Sequence, residues 1–446
     1  MLGVACHGNT AIAVDPTPVP VAVTAAIPSL AVVPVHVTYT LRSLRPSLDS
    51  LFPVRDSLNQ AQCLALGGAV CHQYVYRRDS LVLSAQGDRL SIETRLAYRA
   101  QVGMAGLSRV ASCGYAPESM RRASLSMRTA LYWRRDWRLG ARATQLTATL
   151  LDPCKVTVLG VDASKALQSV IDRQLTDFGQ LADTTIPRVA DLQPLADSLW
   201  RSFLEPTPLD TLNSLWLILD PQDVRVAPLV GNGPSFLTAI TLYARPRVVA
   251  GAKPAALVKR LPTLTLGEAP ANFDVPVSVE MPFAEIERRA GMLLAAEPTG
   301  NVHVDSMHVR GVADTVHVDL DVSGAMRGRL TLTARLRWNA ALRELQLDDL
   351  VWTLASRGAM SRVKATIGAP LIGRAVRRAT MGGRVPLGAQ LDSVRVEMMR
   401  LLNGPIGVGV LLRSSVNDVQ ILAVTSTATA FVVQARLTGR AGVWIQ

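Results

Sequence analysis

VPVHVTYTLRSLRPSLDSLF occupies residues 33–52, and VPVSVEMPFAEIERRAGMLL occupies residues 275–294. Each opens Val-Pro-Val-x-Val, the alternation of a strand that buries one face, and then changes to helical spacing. In the first stretch Leu44, Leu48 and Leu51 fall on one helical face; in the second Phe283, Ile286, Ala290 and Leu293 do. A segment that switches period in the same way twice, far apart in one chain, points to an internal duplication.

The segments that follow keep the correspondence. DSLVLSAQGDRLSIE (79–93) and DSMHVRGVADTVHVD (305–319) have equal length. Each reads as two alternating strands around a tight turn, at Gln86–Arg89 and Val312–Thr315. LSMRTALYW (125–133) then parallels LTLTARLRW (330–338), and a further strand follows each. A long helix comes next in both halves: Leu167, Val170, Ile171, Leu175 and Phe178 share a face in one, Val363, Ile367, Ile372 and Val376 in the other, with Pro370 placed to kink it. Strands around 215–250 and 406–444 close the halves.

Hairpins at this spacing build a strongly twisted antiparallel sheet, and a long amphipathic helix buries its stripe inside that curl. The expected fold is α+β: two tandem duplicated units, each a curved antiparallel sheet wrapped around a long helix. Residues 1–32 form a leader or tether rich in Pro, Ala, Val and Thr, 33–262 the first unit and 263–446 the second.

With 446 residues and 49% hydrophobic content the chain can bury substantial cores. The net charge of +12 is diffuse, because only five of the 47 basic residues are lysine and none form a dense run. No zinc finger, helix-turn-helix or aromatic-basic strand motif accompanies it, so nucleic acid is not the expected partner. An anionic membrane surface suits scattered positive charge better. No apolar run reaches the length of a membrane-spanning helix.

The first residues, MLGVAC, look like the tail of a secretion signal running into a lipidation cysteine, Cys6, although Gly3 stands where a lipobox carries leucine. An ordinary amino terminus is the alternative. Four further cysteines, Cys63, Cys71, Cys113 and Cys154, match no metal or redox spacing. Three disulfide pairings are open. Cys63 with Cys71 plus Cys113 with Cys154 closes the shortest loops, and buried free thiols in a cytoplasmic protein are the other possibility.

VPVHVTYTLRSL, the alternating SLVLSAQGDRLSIETRLAYRA, Cys113 in CGY with Cys154 in DPC, the tract LWRSFLEPTPLDTLNSLWLILDP and LPTL at 261–264 together resemble the bacterial domain-of-unknown-function family 4403. The resemblance spans nearly the whole chain beyond residue 30. It implies similarity to the tubular lipid-binding (TULIP, BPI-like) superfamily, whose curled sheets wrap a helix around a tunnel for acyl chains. No catalytic residues and no cofactor come with it. On that reading Leu81, Leu83, Leu90, Ile92 and Leu96 wall the first tunnel and Val316, Val318, Leu320 and Val322 the second. The same alternation also describes a solidly packed core.

VHVDSMHVRGVADTVHVDLDV (302–322) concentrates His303, Asp305, His308, His317 and Asp319. A metal-dependent hydrolase would use them as ligands. Their period-two placement opposite valines reads instead as the wet face of a hairpin. No G-x-S-x-G elbow accompanies the histidines, and GPIGVGV (404–410) lacks the Lys-Ser/Thr of a phosphate loop. Trp200, Trp216, Trp338 and Trp352 sit in apolar or alternating contexts and are expected in cores. Trp133, Arg134, Arg135 and Trp137, within YWRRDWR, form either a membrane-contacting tip or a plain hairpin end with solvated arginines.

The expected function is binding, with transfer, of lipid or another apolar ligand in the bacterial envelope, in the periplasm and lipid-anchored, without enzymatic activity. An envelope scaffold of the same fold with a filled interior is the alternative.

Overall fold

The computed structural model describes residues 30–58, 70–104, 107–154, 162, 164–210, 214–296, 302–312, 314–324, 327–356, 384–407 and 410–445. Strand β1 (Ala31–Thr40) runs through a 3-10 turn (Leu41–Leu44) into helix α1 (Arg45–Leu51). Then come β2 (Arg55–Leu58), β3 (Val70–Arg78), β4 (Val82–Gly87), β5 (Arg89–Met104), β6 (Leu107–Cys113), β7 (Arg121–Trp133) and β8 (Leu139–Leu150). Helices α2 (Ser164–Val189) and α3 (Gln193–Leu204) follow. After them lie β9 (Thr207–Asp210), β10 (Leu215–Ile218), β11 (Pro221–Val226), β12 (Val230–Gly233), β13 (Ser235–Ala244), β14 (Arg247–Ala250) and β15 (Thr265–Leu266).

The second half begins with β16 (Phe273–Pro282) and α4 (Phe283–Ala296). Strands β17 (Val302–Val312), β18 (Thr315–Gly324), β19 (Gly328–Asn339), β20 (Glu344–Ser356) and β21 (Arg384–Pro386) lead to α5 (Gly388–Leu401). The chain closes with β22 (Gly404–Gly407), β23 (Val410–Ser426) and β24 (Ala430–Ile445). The protein is mostly sheet, with few helices. Nineteen of the described strands join one sheet, and β17 to β21 form a second.

The two Val-Pro-Val strands occupy the same position in their halves. β1 lies antiparallel to β13 with Val33 opposite Leu242, and β16 lies antiparallel to β24 with Val275 opposite Leu437. Each also pairs, in parallel, with the closing strands of the other half: His36 with Gly442, and Ser278 with Arg247. This explains the prolines. Pro34 and Pro276 stand just before those parallel ladders begin, at Val35 and Ser278, where a missing N–H deprives no partner.

Finer features recur in step. Register shifts fall between Arg128 and Ala130 on β7 and between Thr333 and Arg335 on β19. Others fall between Pro221 and Asp223 on β11 and between Val416 and Asp418 on β23. Trp137 and Ala143 have positive φ, as do Arg343 and Asp349. The Leu41 amide donates to Pro234 at 2.8 Å, and that of Phe283 donates to Thr429 at 2.8 Å. The cores agree as well: Leu41, Leu90, Leu131 and Phe236 cluster in the first half; Phe283, Val316, Leu336 and Phe431 cluster in the second.

Helix α2 lies along β8. Its contact line runs through Ile171 and Leu175 to Gly179, where a β-carbon would come within 2.5 Å of the Thr144 carbonyl. Gln168 donates to the Ala148 carbonyl at 2.6 Å, and Thr144 bonds Asp183. Phe178, assigned by spacing to the buried stripe, is 58% exposed, because the close approach at Gly179 turns the neighbouring position outward. The expected second long helix, with Val363, Ile367, Pro370, Ile372 and Val376, lies outside the described residues, as do Cys6 and Cys63 and the side chains of Leu51, Cys71, Leu167, Val170 and Leu293.

Cys113 and Cys154 form a disulfide with Cα atoms 5.4 Å apart, buried beside Tyr98 and Ala123. It closes a loop between residues 41 apart in sequence, which restricts the unfolded chain by about 4 kcal/mol. Replacing both by alanine is expected to lower the unfolding free energy by about that amount. Denaturant titration under oxidising conditions checks it, and an unchanged midpoint would count against the assigned stabilisation.

Candidate apolar-ligand site

The site is built where β1 turns into α1. Leu41, 1% exposed, is anchored by the hydrogen bond its amide donates to the Pro234 carbonyl and packs in a cluster with Leu81, Leu90, Ile92, Leu131 and Phe236. Leu44, Leu48 and Phe52 from the α1 region, Leu83 from β4 and Ile186 from α2 pack around it. Outside Leu41 and Leu83 opens a pocket of about 680 Å³, which Thr40, Arg42, Arg45, Pro234 and Ser235 complete. Arg42 and Arg45 are both exposed at the rim, and Arg45 donates to the Leu81 carbonyl at 3.1 Å. An apolar floor beneath two guanidinium groups can seat a hydrocarbon tail while its anionic head accepts hydrogen bonds.

The residues proposed as tunnel walls separate into groups. Leu81, Leu83, Leu90 and Ile92 come together in the first cluster; only Leu83 reaches the pocket, and the others are packed side chain against side chain. Leu96 belongs instead to the disulfide cluster. Val316 and Val318 pack with Phe283, Val309 and Leu336. Leu320 and Val322 continue the same face of β18, the first half-buried and the second buried.

The second half's counterpart to this rim carries a different charge arrangement. In the register that matches Leu41 with Phe283, Arg42 and Arg45 correspond to Ala284 and Glu287; α4 also carries Glu285, whose buried carboxylate accepts from Arg288 at 2.6 and 2.9 Å and from Arg289 at 2.6 Å. These bonds, Arg288 first and Arg289 second, hold its pKa at about 2 against the usual 4.5. Glu287 accepts the Val309 amide at 2.7 Å.

The histidine-rich hairpin is a partnered strand face. His308 stands opposite Asp319 and Arg310 opposite His317. Asp319 accepts from Thr331 at 2.6 Å, His317 Nδ1 lies 3.1 Å from the Thr333 hydroxyl, and Asp305 accepts from Ser323 at 2.7 Å. Asp321 takes two bonds from Arg329, at 2.9 and 3.0 Å, and one from Ser306, which hold its pKa at about 2. Among the described residues no three His, Cys, Asp or Glu side chains are grouped to hold a metal ion.

The YWRRDWR tip is tied to the body of the molecule. The Trp137 indole donates to the Pro262 carbonyl at 2.8 Å and packs on Trp200, and the Leu264 amide donates to Arg135 at 3.0 Å. Arg134 forms a two-bond pair with Asp136, and Trp133 is half-buried. Trp200 is 3% exposed; Trp216, Trp338 and Trp352 are half-buried. Sequence spacing did not expose the Arg42 and Arg45 rim, because only the fold sets Pro234 and Ser235 beside them.

The fold and site define a mostly-sheet protein with an apolar pocket under a cationic rim. The chain belongs to the family described as Domain of unknown function (DUF4403), which matches residues 29–445. No curated protein matches it. Among solved structures, the crystal structure of lipopolysaccharide binding protein is similar at 11% identity over 94% of this chain and 99% of that one, with a TM-score of 0.26. The structure of the P47 protein from Clostridium botulinum A2 is similar at 6% identity over 91% and 96%, with a TM-score of 0.22.

A carboxylate whose folded pKa is depressed contributes stability that is present above its unfolded pKa and disappears as pH falls through the folded one. For Glu285 that window lies between the usual 4.5 and about 2. The denaturation midpoint is therefore expected to drop as pH is lowered across it, and to drop less in Glu285→Gln. Identical pH slopes for the two proteins would refute the assignment.

Proposed function

We propose that the protein binds a lipid or another apolar amphiphile, preferably anionic, and carries it within the bacterial envelope. The observation that supports this is the pocket at Leu41 and Leu83 under the Arg42 and Arg45 rim. Each buried methylene contributes about 0.8 kcal/mol, so a ten-carbon tail gains roughly 8 kcal/mol before ordering costs. Guanidinium groups at the rim suit a phosphate or carboxylate head. Such binding needs neither cofactor nor catalytic group, and the protein is proposed to be a non-enzyme. A periplasmic location with a lipid anchor at Cys6 is part of the proposal.

The shared registers, bulges and core positions of the two halves support descent from one duplicated unit, each copy a tube-like sheet. Their unlike rims support different occupants, with the first half taking the anionic ligand. The tight packing of Leu81, Leu90 and Leu131 favours a second reading, a scaffold whose interior is filled by its own side chains.

Organic extraction of purified protein followed by mass spectrometry separates the readings. The lipid-binding protein releases a stoichiometric amphiphile, and a fluorescent fatty acid binds it about tenfold more weakly after Arg42→Glu and not measurably after Leu83→Glu. An empty extract together with equal probe binding by all three proteins leaves the scaffold.

A further inference from the structure

The two halves correspond position by position around their second helices, except that one groove is covered and the other, among the described residues, is open. The Leu192 amide donates to Trp137 at 3.0 Å, and the Leu387 amide donates to Arg343 at 3.0 Å. Counting from these bonds, Trp200 and Leu204 of α3 correspond to Arg395 and Met399 of α5. In the first half the groove between α3 and β11 is filled by the chain that precedes β16. Trp200 and Trp137 donate to the carbonyls of Lys259 and Pro262, the Leu257 amide donates to Leu204, and Thr265 pairs in parallel with Arg225 on the edge of β11.

The corresponding groove between α5 and β23 is a cleft of about 620 Å³ lined by Arg343, Leu391, Arg395 and residues 418–422. Leu204 is 6% exposed, but Met399 is 39% exposed, and Leu422 at the strand edge is 53% exposed. Among the described residues β23 pairs with β24 and, near its start, with β22, which leaves residues 418–422 with one edge unpaired. Such an edge presents a row of N–H and C=O groups ready to accept an added strand.

We infer that this groove is filled by the chain that precedes β1, residues 14–24, docking as an extended strap with Val23 opposite Gln420. The first strands of the two halves have the same register, Val33 corresponding to Val275. Counting back from them, Val19-Pro20-Val21-Ala22-Val23 stands where Leu261-Pro262-Thr263-Leu264-Thr265 covers the first groove. A charged contact of the covering segment, Lys259 with Asp220, has lost both members together: their counterparts are Thr17 and Ser415.

The reach is sufficient. Val32 lies opposite Asp274, Asp274 opposite Thr438 and Thr438 opposite Asp418. Three strand spacings are about 15 Å, and the extended chain from Leu30 back to Thr24 spans roughly 20 Å.

Two measurements on the full chain test the strap. Hydrogen exchange at residues 420–422 is expected to be at least about tenfold slower in the native protein than in Val19→Asp with Val21→Asp, and equal rates overturn the proposal. Oxidation of Val23→Cys with Gln420→Cys is expected to give a cross-link between peptides of one chain. Absence of that cross-link, or one found only in a product of twice the mass, overturns assignment to the same chain.

Discussion

Everything in this fold depends on the exchange of first strands. β1 has one edge completed by its own half, through β13, and the other by β24 of the second half; β16 is completed by β24 on one side and by β14 of the first half on the other. Neither half can satisfy the backbone of its opening strand alone, and a buried strand edge without partners is costly. Strands from both sides of residue 262 therefore share one sheet. Stability must be cooperative across it, since unfolding either half strips one edge from the other.

That exchange also fixes the pocket. β1 is held straight by partners on both sides until Thr40, whose hydroxyl reaches the Ile445 carbonyl at 3.0 Å. The turn that follows drops Leu41 into the core and leaves Arg42 outside. A second-half strand end thus determines where the first half's rim stands. In the second half the same turn drops Phe283 inward, but Glu285 then gathers Arg288 and Arg289 into a closed ionic cluster. Burial of that carboxylate is tolerable because both arginines bond it. Similar local backbone arrangements thus stand beside an open cationic rim at one end and a neutralised one at the other, so that one kind of fold carries unlike sites.

Sequence carries the local part of this structure well. The two-residue turn between β4 and β5, the alternation of Leu90 with Ile92, and the valine face of β18 follow from period and turn chemistry, and the hairpins close where those signals place them. Partner choice is another matter. Val33 meets Leu242, and Val35 meets Ala441, through contacts that no local pattern encodes. The prolines illustrate the gap: in the sequence Pro34 and Pro276 only mark the repeated Val-Pro-Val opening, and the onset of the parallel ladders gives their positions a reason. Helices α3 and α5 were absent from the periodicity reading because their apolar residues are mixed with exposed ones, Leu195 and Leu199 in one and Val396 in the other.

The tryptophan-arginine tip shows how matching positions serve different ends in the two halves. Trp137, with φ of 61°, sits where Arg343 sits, with φ of 51°. In the first half the indole spans from the hairpin to the covering segment and packs on Trp200, so a nonpolar ring is used where chain lies on top. In the second, Arg343 bonds Asp392 of α5 at 2.9 and 3.1 Å, bracing helix against hairpin from the side and leaving the floor of the cleft open. A tryptophan there would expose a large apolar face to water in the uncovered state. An arginine is tolerated there, since its charge is paired with Asp392 in the open cleft. The substitution fits a groove that stands open to water among the described residues, whereas its counterpart is covered by the chain between the halves.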